Sequence, residues 1–260
     1  MKISSVNNPH IKYLKRLQTN GSFRRREKKF LAEGAAAIKT SLENNKKPLM
    51  IYLCPEMPTD ISVLSGYIGK KAVPVTELSK KCFEKISDVK APQGVAGLFP
   101  FARFLPDEFF RQKRGVYLCC HEFQDPGNLG TLIRTADALG ASGVVTTIPS
   151  VSFYNPKVVR SSAGSVLNIP LLELPLKEFI IHAKKARLSL YTAMPRKGEP
   201  LQRIHFKRPL CIIIGSEAHG IPASLLNMTK PVSIPMRKGV ESLNAAISGA
   251  LMLYQAKQAK

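Results

Sequence analysis

The second half of the chain alternates short apolar runs with helix-patterned stretches, and few folds accept that order. Val116–Cys120, Gly143–Ile148, Leu188–Thr192, Leu210–Ile214 and Val232–Ile234 read as strands. Helices are expected over Leu129–Leu139, near Pro156–Ser162, near Leu176–Ala186, and from about Leu243 to the end. Strands in this rhythm form an α/β fold with a mostly parallel sheet covered on both faces. In such a sheet the ligand site lies outside the carboxyl ends of the strands.

The first half has an α/β pattern on a smaller scale. Met1–Leu17 reads as a short leader into a helix, with Ile11, Leu14 and Leu17 at helical spacing. A helix over Ala35–Glu43 and strands at Leu49–Cys54, Ala72–Val75 and Val95–Phe99 follow, with a helix around Glu77–Ile86. Pro100–Gly115 mixes prolines, charge and aromatics without a period and reads as a linker. Two domains are expected, residues 1–105 and 106–260.

The chain carries 39 Lys+Arg against 18 Asp+Glu, a net charge of +21. A field of that sign attracts polyanions, and a phosphate backbone is the commonest of them. Charge alone leaves two readings open, a protein acting on RNA and a ribosome-associated or merely soluble basic protein with no catalysis. The cluster Arg24, Arg25, Arg26, Lys28 and Lys29 is the densest candidate for phosphate contact, with a solvated face as its alternative. No apolar h-region opens the chain, and its most apolar run, Leu210–Ile214, is far short of the roughly 18 residues of a membrane span. Five cysteines include no Cys-x-x-Cys pair. That argues against a disulfide framework or a zinc site and for a reducing cytoplasm.

Three polar, glycine-containing stretches stand beside the apolar elements. In the first, Asp125-Pro-Gly-Asn128 is turn chemistry, and Asn128 is the expected N-cap of the helix it opens. Leu129, Leu132, Ile133, Ala136 and Leu139 form the buried stripe, and Arg134 points away from it. The second, Gly215-Ser-Glu217-Ala-His-Gly220, follows the most apolar strand; its glycines let backbone approach a ligand closely. No Gly-x-Gly-x-x-Gly dinucleotide fingerprint occurs. The third, Ile234-Pro-Met-Arg-Lys-Gly-Val-Glu-Ser242-Leu-Asn244, opens the last helix, with Ser242 its expected N-cap. Leu243, Ala246, Ile247, Ala250, Leu251 and Tyr254 are the expected buried face of that helix. A fourth stretch, Arg160-Ser-Ser-Ala-Gly164, is small and basic. His121 and His219 have no Ser/His/Asp or metal-ligand spacing around them.

In this order the three stretches resemble the signature motifs of the SpoU (TrmH-like) branch of SPOUT methyltransferases, which transfer methyl from S-adenosylmethionine to an RNA ribose 2′-hydroxyl. The second motif departs from the usual Gly-Asn-Glu-Gly-x-Gly at Ser216 and Ala218, with His219 at the variable position, while Glu217 and both flanking glycines are kept. Ile3-Ser-Ser-x-Asn-Asn, Arg24–Glu27 and Phe30-Leu-Ala-Glu-Gly34 resemble the substrate-binding domain joined to many SpoU-type rRNA enzymes.

The resemblance implies a C-terminal domain with a deep trefoil knot and a ribosomal-protein-like N-terminal α/β domain. It also implies a homodimer with arginine supplied across the interface. Asn128, Arg134, Glu217, Ser242 and Asn244 would form the catalytic set. Gly215, Ile234, Met236 and Leu243, with Thr192 or Ala193, would hold S-adenosylmethionine. Arg160 would join the N-terminal cluster on RNA, and no metal is required. Large-subunit (23S) rRNA is the expected substrate. The alternatives are a tRNA 2′-O-methyltransferase and a non-catalytic rRNA-binding protein.

Overall fold

The computed structural model describes residues 2–58, 64, 73–216 and 220–258. The chain divides into two compact units, Met1–Phe101 with Ser152–Asn168, and Ala102–Val151 with Ile169–Lys260.

In the first unit, β1 (Lys2–Ile3) leads to α1 (Pro9–Thr19). Asn8 caps α1, its side chain accepting from His10 N at 2.8 Å, and Pro9 occupies the first helical position, where a missing N–H costs nothing. Ile11, Leu14 and Leu17 are fully buried, as their spacing predicts. Asn20 ends α1 and, through Phe23 N at 2.8 Å, caps α2 (Gly21–Glu27).

The chain continues through β2 (Lys29–Glu33), α3 (Ala35–Glu43), β3 (Met50–Leu53), β4 (Val75–Leu78), α4 (Lys80–Ile86) and β5 (Val95–Pro100). The sheet order is β1-β4-β3-β5-β2, with β2 and β3 antiparallel to β5. The expected strand Ala72–Val75 lies instead at Val75–Leu78, Ala72 falling outside the described residues, and the helix begins at Lys80. Val-Thr-Glu-Leu alternates buried and exposed positions, so Glu77 belongs to the strand.

The second unit begins in the stretch expected to be a linker. It forms α5 (Pro106–Phe109), and Phe109 and Phe110 are buried in this unit's core against Tyr117. Then come β6 (Val116–His121), α6 (Pro126–Ala138) and β7 (Gly143–Ile148). Next, α7 (Pro156–Ser161) packs within the first unit, where Tyr154 lies 4.7 Å from Phe30 and 3.8 Å from Phe101, ring to ring.

The remaining elements are β8 (Leu171–Pro175), α8 (Leu176–Lys185), β9 (Ser189–Met194), β10 (Glu199–Pro200), β11 (Leu210–Gly215), α9 (Ala223–Leu226), β12 (Lys230–Ser233) and α10 (Ala245–Gln258). The seven strands of this sheet are parallel, in the order β10-β12-β9-β11-β6-β7-β8. Leu210–Ile214 is buried throughout, as a strand covered on both faces must be. α6 and α10 pack against one face, and α8 with Phe110 and Leu225 against the other.

Two expected details differ. The N-cap of α6 is Asp125, whose carboxylate accepts from Asn128 N at 2.6 Å; Pro126 takes the first helical position and fixes the cap one residue before itself. The buried face of α10 is Ala245, Ala246, Gly249, Met252, Leu253 and Ala256. Ile247, Leu251 and Tyr254 are exposed at 51%, 41% and 57%. Gly249 decides this orientation: a Cβ there would lie 2.5 Å from Leu132 Cδ2, so the helix sits on α6 with its smallest residue inward.

Candidate active site

Three loops leave the carboxyl ends of neighbouring strands β9, β11 and β12 and surround one cavity of about 270 Å³. This is where an open parallel sheet presents a ligand site. Its walls include Ile214, Ile221, Val232, Ile234, Met236 and Leu243, an apolar lining with Ser216, Ser242 and Ser248 as polar groups.

Of the residues expected at a cofactor, Ala193, Gly215, Ile234, Met236 and Leu243 line this cavity. Thr192 lies one residue back in β9, fully buried, with its hydroxyl unpaired. Met194, Pro195, Ile221 and Ser248 also line the cavity and were not anticipated. The first two follow from β9 running on to Met194, two residues past its expected end.

The cavity is mostly apolar, and one wall is closed by a tight backbone approach. At Gly215 an added Cβ would stand 2.6 Å from Gly220 O and 2.7 Å from its carbonyl carbon. Only glycine lets these two strands of loop close on each other, and Gly220 N returns a bond to Ser216 O at 2.9 Å. Glu217 and His219 lie outside the described residues.

Asn244 stands between two lining residues, Leu243 and Ala245. Its Oδ1 accepts from Ala246 N at 2.9 Å and Ile247 N at 3.2 Å, so Asn244, not Ser242, caps α10. Ser242 is thereby left exposed on the cavity wall. The other end of the Asn244 amide donates to Asn128 Oδ1 at 3.0 Å. Two residues 116 positions apart are thus joined beside the cavity. Arg134 is exposed on α6 and is not in the cavity lining.

His121 ends β6 but is only 3% exposed, with Nδ1 2.7 Å from Thr147 Oγ1. Burial holds its pKa below the ordinary value, against the opposing pull of Glu122. It is absent from the cavity lining.

The expected RNA set is mixed in its placement. Arg24 is 6% exposed, and its guanidinium donates to Leu17 O at 2.6 Å and Gln18 O at 2.8 Å, closing the last turn of α1. A guanidinium so enclosed does not fit a phosphate contact. Arg25 and Lys28 are exposed. Lys29 is half-buried, and Arg26 bonds Glu27 at 3.1 Å while lying over Phe23. Arg160 pairs with Asp88.

Residues 115–254 match the model of the SpoU rRNA Methylase family, more than half of the chain. The chain belongs to the SpoU family. Residues 8–97 match the MRM3-like substrate binding domain, so the family's catalytic and substrate-binding parts are both present. A Synechocystis protein described as an uncharacterized tRNA/rRNA methyltransferase is 33% identical over 98% of this chain and 93% of its own. The 23S rRNA (guanosine(2553)-2′-O)-methyltransferase RlmP of Bacillus subtilis is 29% identical, covering 97% and 98%. An AdoMet-bound rRNA methyltransferase of Sinorhizobium meliloti superposes with a TM-score of 0.89 at 26% identity, over 99% of this chain and 97% of that one.

Among the described residues of this SpoU-family chain, no group of three or more His, Cys, Asp or Glu is placed to hold a metal, and no helix is long and apolar enough to cross a membrane. The mostly apolar cavity and its glycine cradle fit S-adenosylmethionine as the cofactor.

Proposed function

We propose that this SpoU-family protein methylates a ribose 2′-hydroxyl of large-subunit rRNA, using S-adenosylmethionine. The observation that carries the reading is the Asn128–Asn244 pair joined beside the cavity at the carboxyl ends of β9, β11 and β12. The pair also caps α10 and ties it to α6, and its place beside the cavity is what favours catalysis over rRNA binding alone. The substrate-binding domain match favours rRNA over tRNA, as do the 23S rRNA and rRNA methyltransferases it resembles along nearly their whole length.

The bound cofactor supplies a methyl group on a sulfonium centre that leaves readily. The chain's own residues then have three tasks. Backbone at Gly215, Ile234 and Leu243, with Ala193 and Met236, holds the donor. Asn128, Asn244 and Ser242, with Glu217, fix the ribose so that oxygen, methyl and sulfur align; well-oriented reactants gain about 7–11 kcal/mol of barrier reduction. Arg134 orients the ribose and its phosphate through a planar, bidentate guanidinium. A free arginine is a poor base because its pKa exceeds about 12, so the hydroxyl proton passes to phosphate or water.

The working form in this reading is a cytoplasmic homodimer. Ile247, Leu251 and Tyr254 make an exposed apolar stripe at i, i+4 and i+7 of α10, the feature that marks a contact surface. Five free, buried cysteines suit a reducing compartment. The trefoil-knotted path expected of the family belongs to the same reading, supported by the crowding of three loops around one cavity and by α10 packing across α6, β6, β9 and β11. Calorimetry with S-adenosylmethionine and mapping of methylated ribose on rRNA treated with the protein test the proposal. A binding signal with 2′-O-methylation is expected. Methylation confined to bases, or no cofactor binding, would overturn it.

A further inference from the structure

The parallel sheet of the second unit has a second end. Its strands begin together: Leu210 pairs with Val116 on one side and Ser189 on the other. The segments leading into these three strands therefore reach the same end of the sheet, where the strands themselves are about 4.8 Å apart. Each is basic: Arg111-Gln-Lys-Arg114 before β6, Lys184-Lys-Ala-Arg187 before β9, and Lys207-Arg208 before β11. No period or motif in the sequence joins them, because they are brought together only by strand register.

Arg208 is engaged internally, its guanidinium donating to Ala256 O at 2.9 Å and capping the end of α10. The other seven are exposed: Arg111, Lys113, Arg114, Lys184, Lys185, Arg187 and Lys207. A cleft of about 400 Å³ opens among them, lined by Arg111, Lys113, Lys185 and Arg187. Asp107 is the one acid in that lining. It is already engaged by Lys185 Nζ at 2.5 Å and His182 Nδ1 at 3.0 Å. The balance of the cleft is strongly positive, and nothing in the chemistry at the cofactor cavity uses it. β11 separates the two ends by six residues, about 20 Å.

We infer that this basic end is a second RNA-contact surface, which grips the phosphate backbone of the substrate about 20 Å from the ribose being modified. The inference rests on the RNA reading of the cofactor site. A single-stranded nucleotide at that site does not reach the cleft, whereas a folded rRNA segment does, with a helix of similar width. The surface thus selects structured RNA over short fragments.

The test is a quadruple variant, Arg111→Gln, Lys113→Gln, Lys185→Gln and Arg187→Asn, asparagine being chosen for its tolerance of the left-handed φ of 53° at that position. Cofactor affinity by calorimetry, and thermal unfolding, serve as readouts of an intact cavity and fold. With a structured 23S rRNA fragment we expect RNA affinity to fall at least about 10-fold and the log–log salt slope to drop by about 3, at 0.7–0.9 per lost phosphate contact. KM for RNA should rise while kcat at saturating RNA stays put. A folded variant with unchanged RNA affinity and salt slope would overturn the inference. So would loss of affinity for poly-L-glutamate while RNA binding stands, since the surface would then serve an acidic protein. Failure of the unaltered protein to bind cofactor or methylate RNA would instead overturn the function proposed above.

Discussion

Asn244 does two jobs with one amide, and two substitutions separate them. Its oxygen caps α10 through Ala246 and Ile247, and its nitrogen donates to Asn128. Asn244→Ala removes both. A lost cap costs about 1 kcal/mol, and an exposed amide–amide bond about 0.5–1. The sum of about 2 kcal/mol corresponds to a fall in Tm of about 4–8 °C in a chain of this size. Asn244→Asp keeps an acceptor at the helix N-terminus, where a negative charge is favourable by about 0.3–1 kcal/mol. Its Tm should stay within about 2 °C of the parent.

The aspartate cannot donate to Asn128 Oδ1. The Asn128 amide must turn over to meet it, and then presents oxygen where it had presented nitrogen. Methyl transfer should therefore fall by about 100-fold or more in both variants, the scale of a lost orientation. Differential scanning calorimetry and single-turnover methylation measure the two effects. If Asn244→Asp unfolded as early as Asn244→Ala, the capping argument would be wrong. If it kept full activity, the bond to Asn128 would have no part in positioning.

Arg24→Ala should lower Tm by more than any neighbour in its cluster, since two charge-assisted bonds to α1 carbonyls are worth about 3 kcal/mol together. By contrast, the exposed Arg25 and Lys28 changed together to Gln should leave Tm nearly unmoved and reduce the RNA salt slope by about 1.5. Gly215→Ala should weaken S-adenosylmethionine binding at least about 10-fold in calorimetry, because the new Cβ meets Gly220 backbone, which cannot move aside as a side chain can. Unchanged affinity would show that the loop has slack there. All five cysteines are buried, and burial pushes the Cys119 and Cys211 thiols well up. Ellman's reagent should therefore find no fast-reacting thiol in the native protein and five per chain in denaturant.

Where one face of an element is polar, its sequence pattern matches its structure closely. α3 spans Ala35–Glu43 as its pattern indicates, and Ile11, Leu14 and Leu17 are buried at their helical spacing. α10 is apolar all round, so periodicity could not choose its inner face; Gly249 against Leu132 chose it. Arg24, Arg25 and Arg26 are chemically identical in sequence, and only the fold-back of α2 onto α1 sets the first apart. Both Asp125 and Asn128 are good caps, and Pro126 decided between them. Met194 and Ser248 carry no motif; they reach the cavity because β9 and α10 do. The basic cleft was the least legible feature, being made by strand register alone.

Asn128 and Arg134 are six residues apart on α6, and that spacing bears on how a dimer would divide the work. Six residues advance the helix by about 9 Å and turn it by about 600°, leaving the two side chains about 120° apart. Asn128 bonds Asn244 beside the cavity, and Arg134 is exposed on a different side of α6. In the homodimer proposed above, one protomer would supply the asparagines and cofactor pocket of a site, and its partner the arginine. Arg134→Ala alone should leave Tm and cofactor affinity unchanged and lower methyl transfer about 100-fold, with Arg134→Lys only a partial rescue because an ammonium lacks the guanidinium's planar fork. A heterodimer of an Arg134→Ala protomer with an Asn244→Ala protomer places both defects in one site and leaves the other whole. Isolated by two affinity tags, it should recover close to half of the parent activity, where each mutant homodimer has almost none. Verified heterodimers without that recovery would mean that Arg134 acts on its own protomer's site, and that α6 must bend or unwind to bring it there.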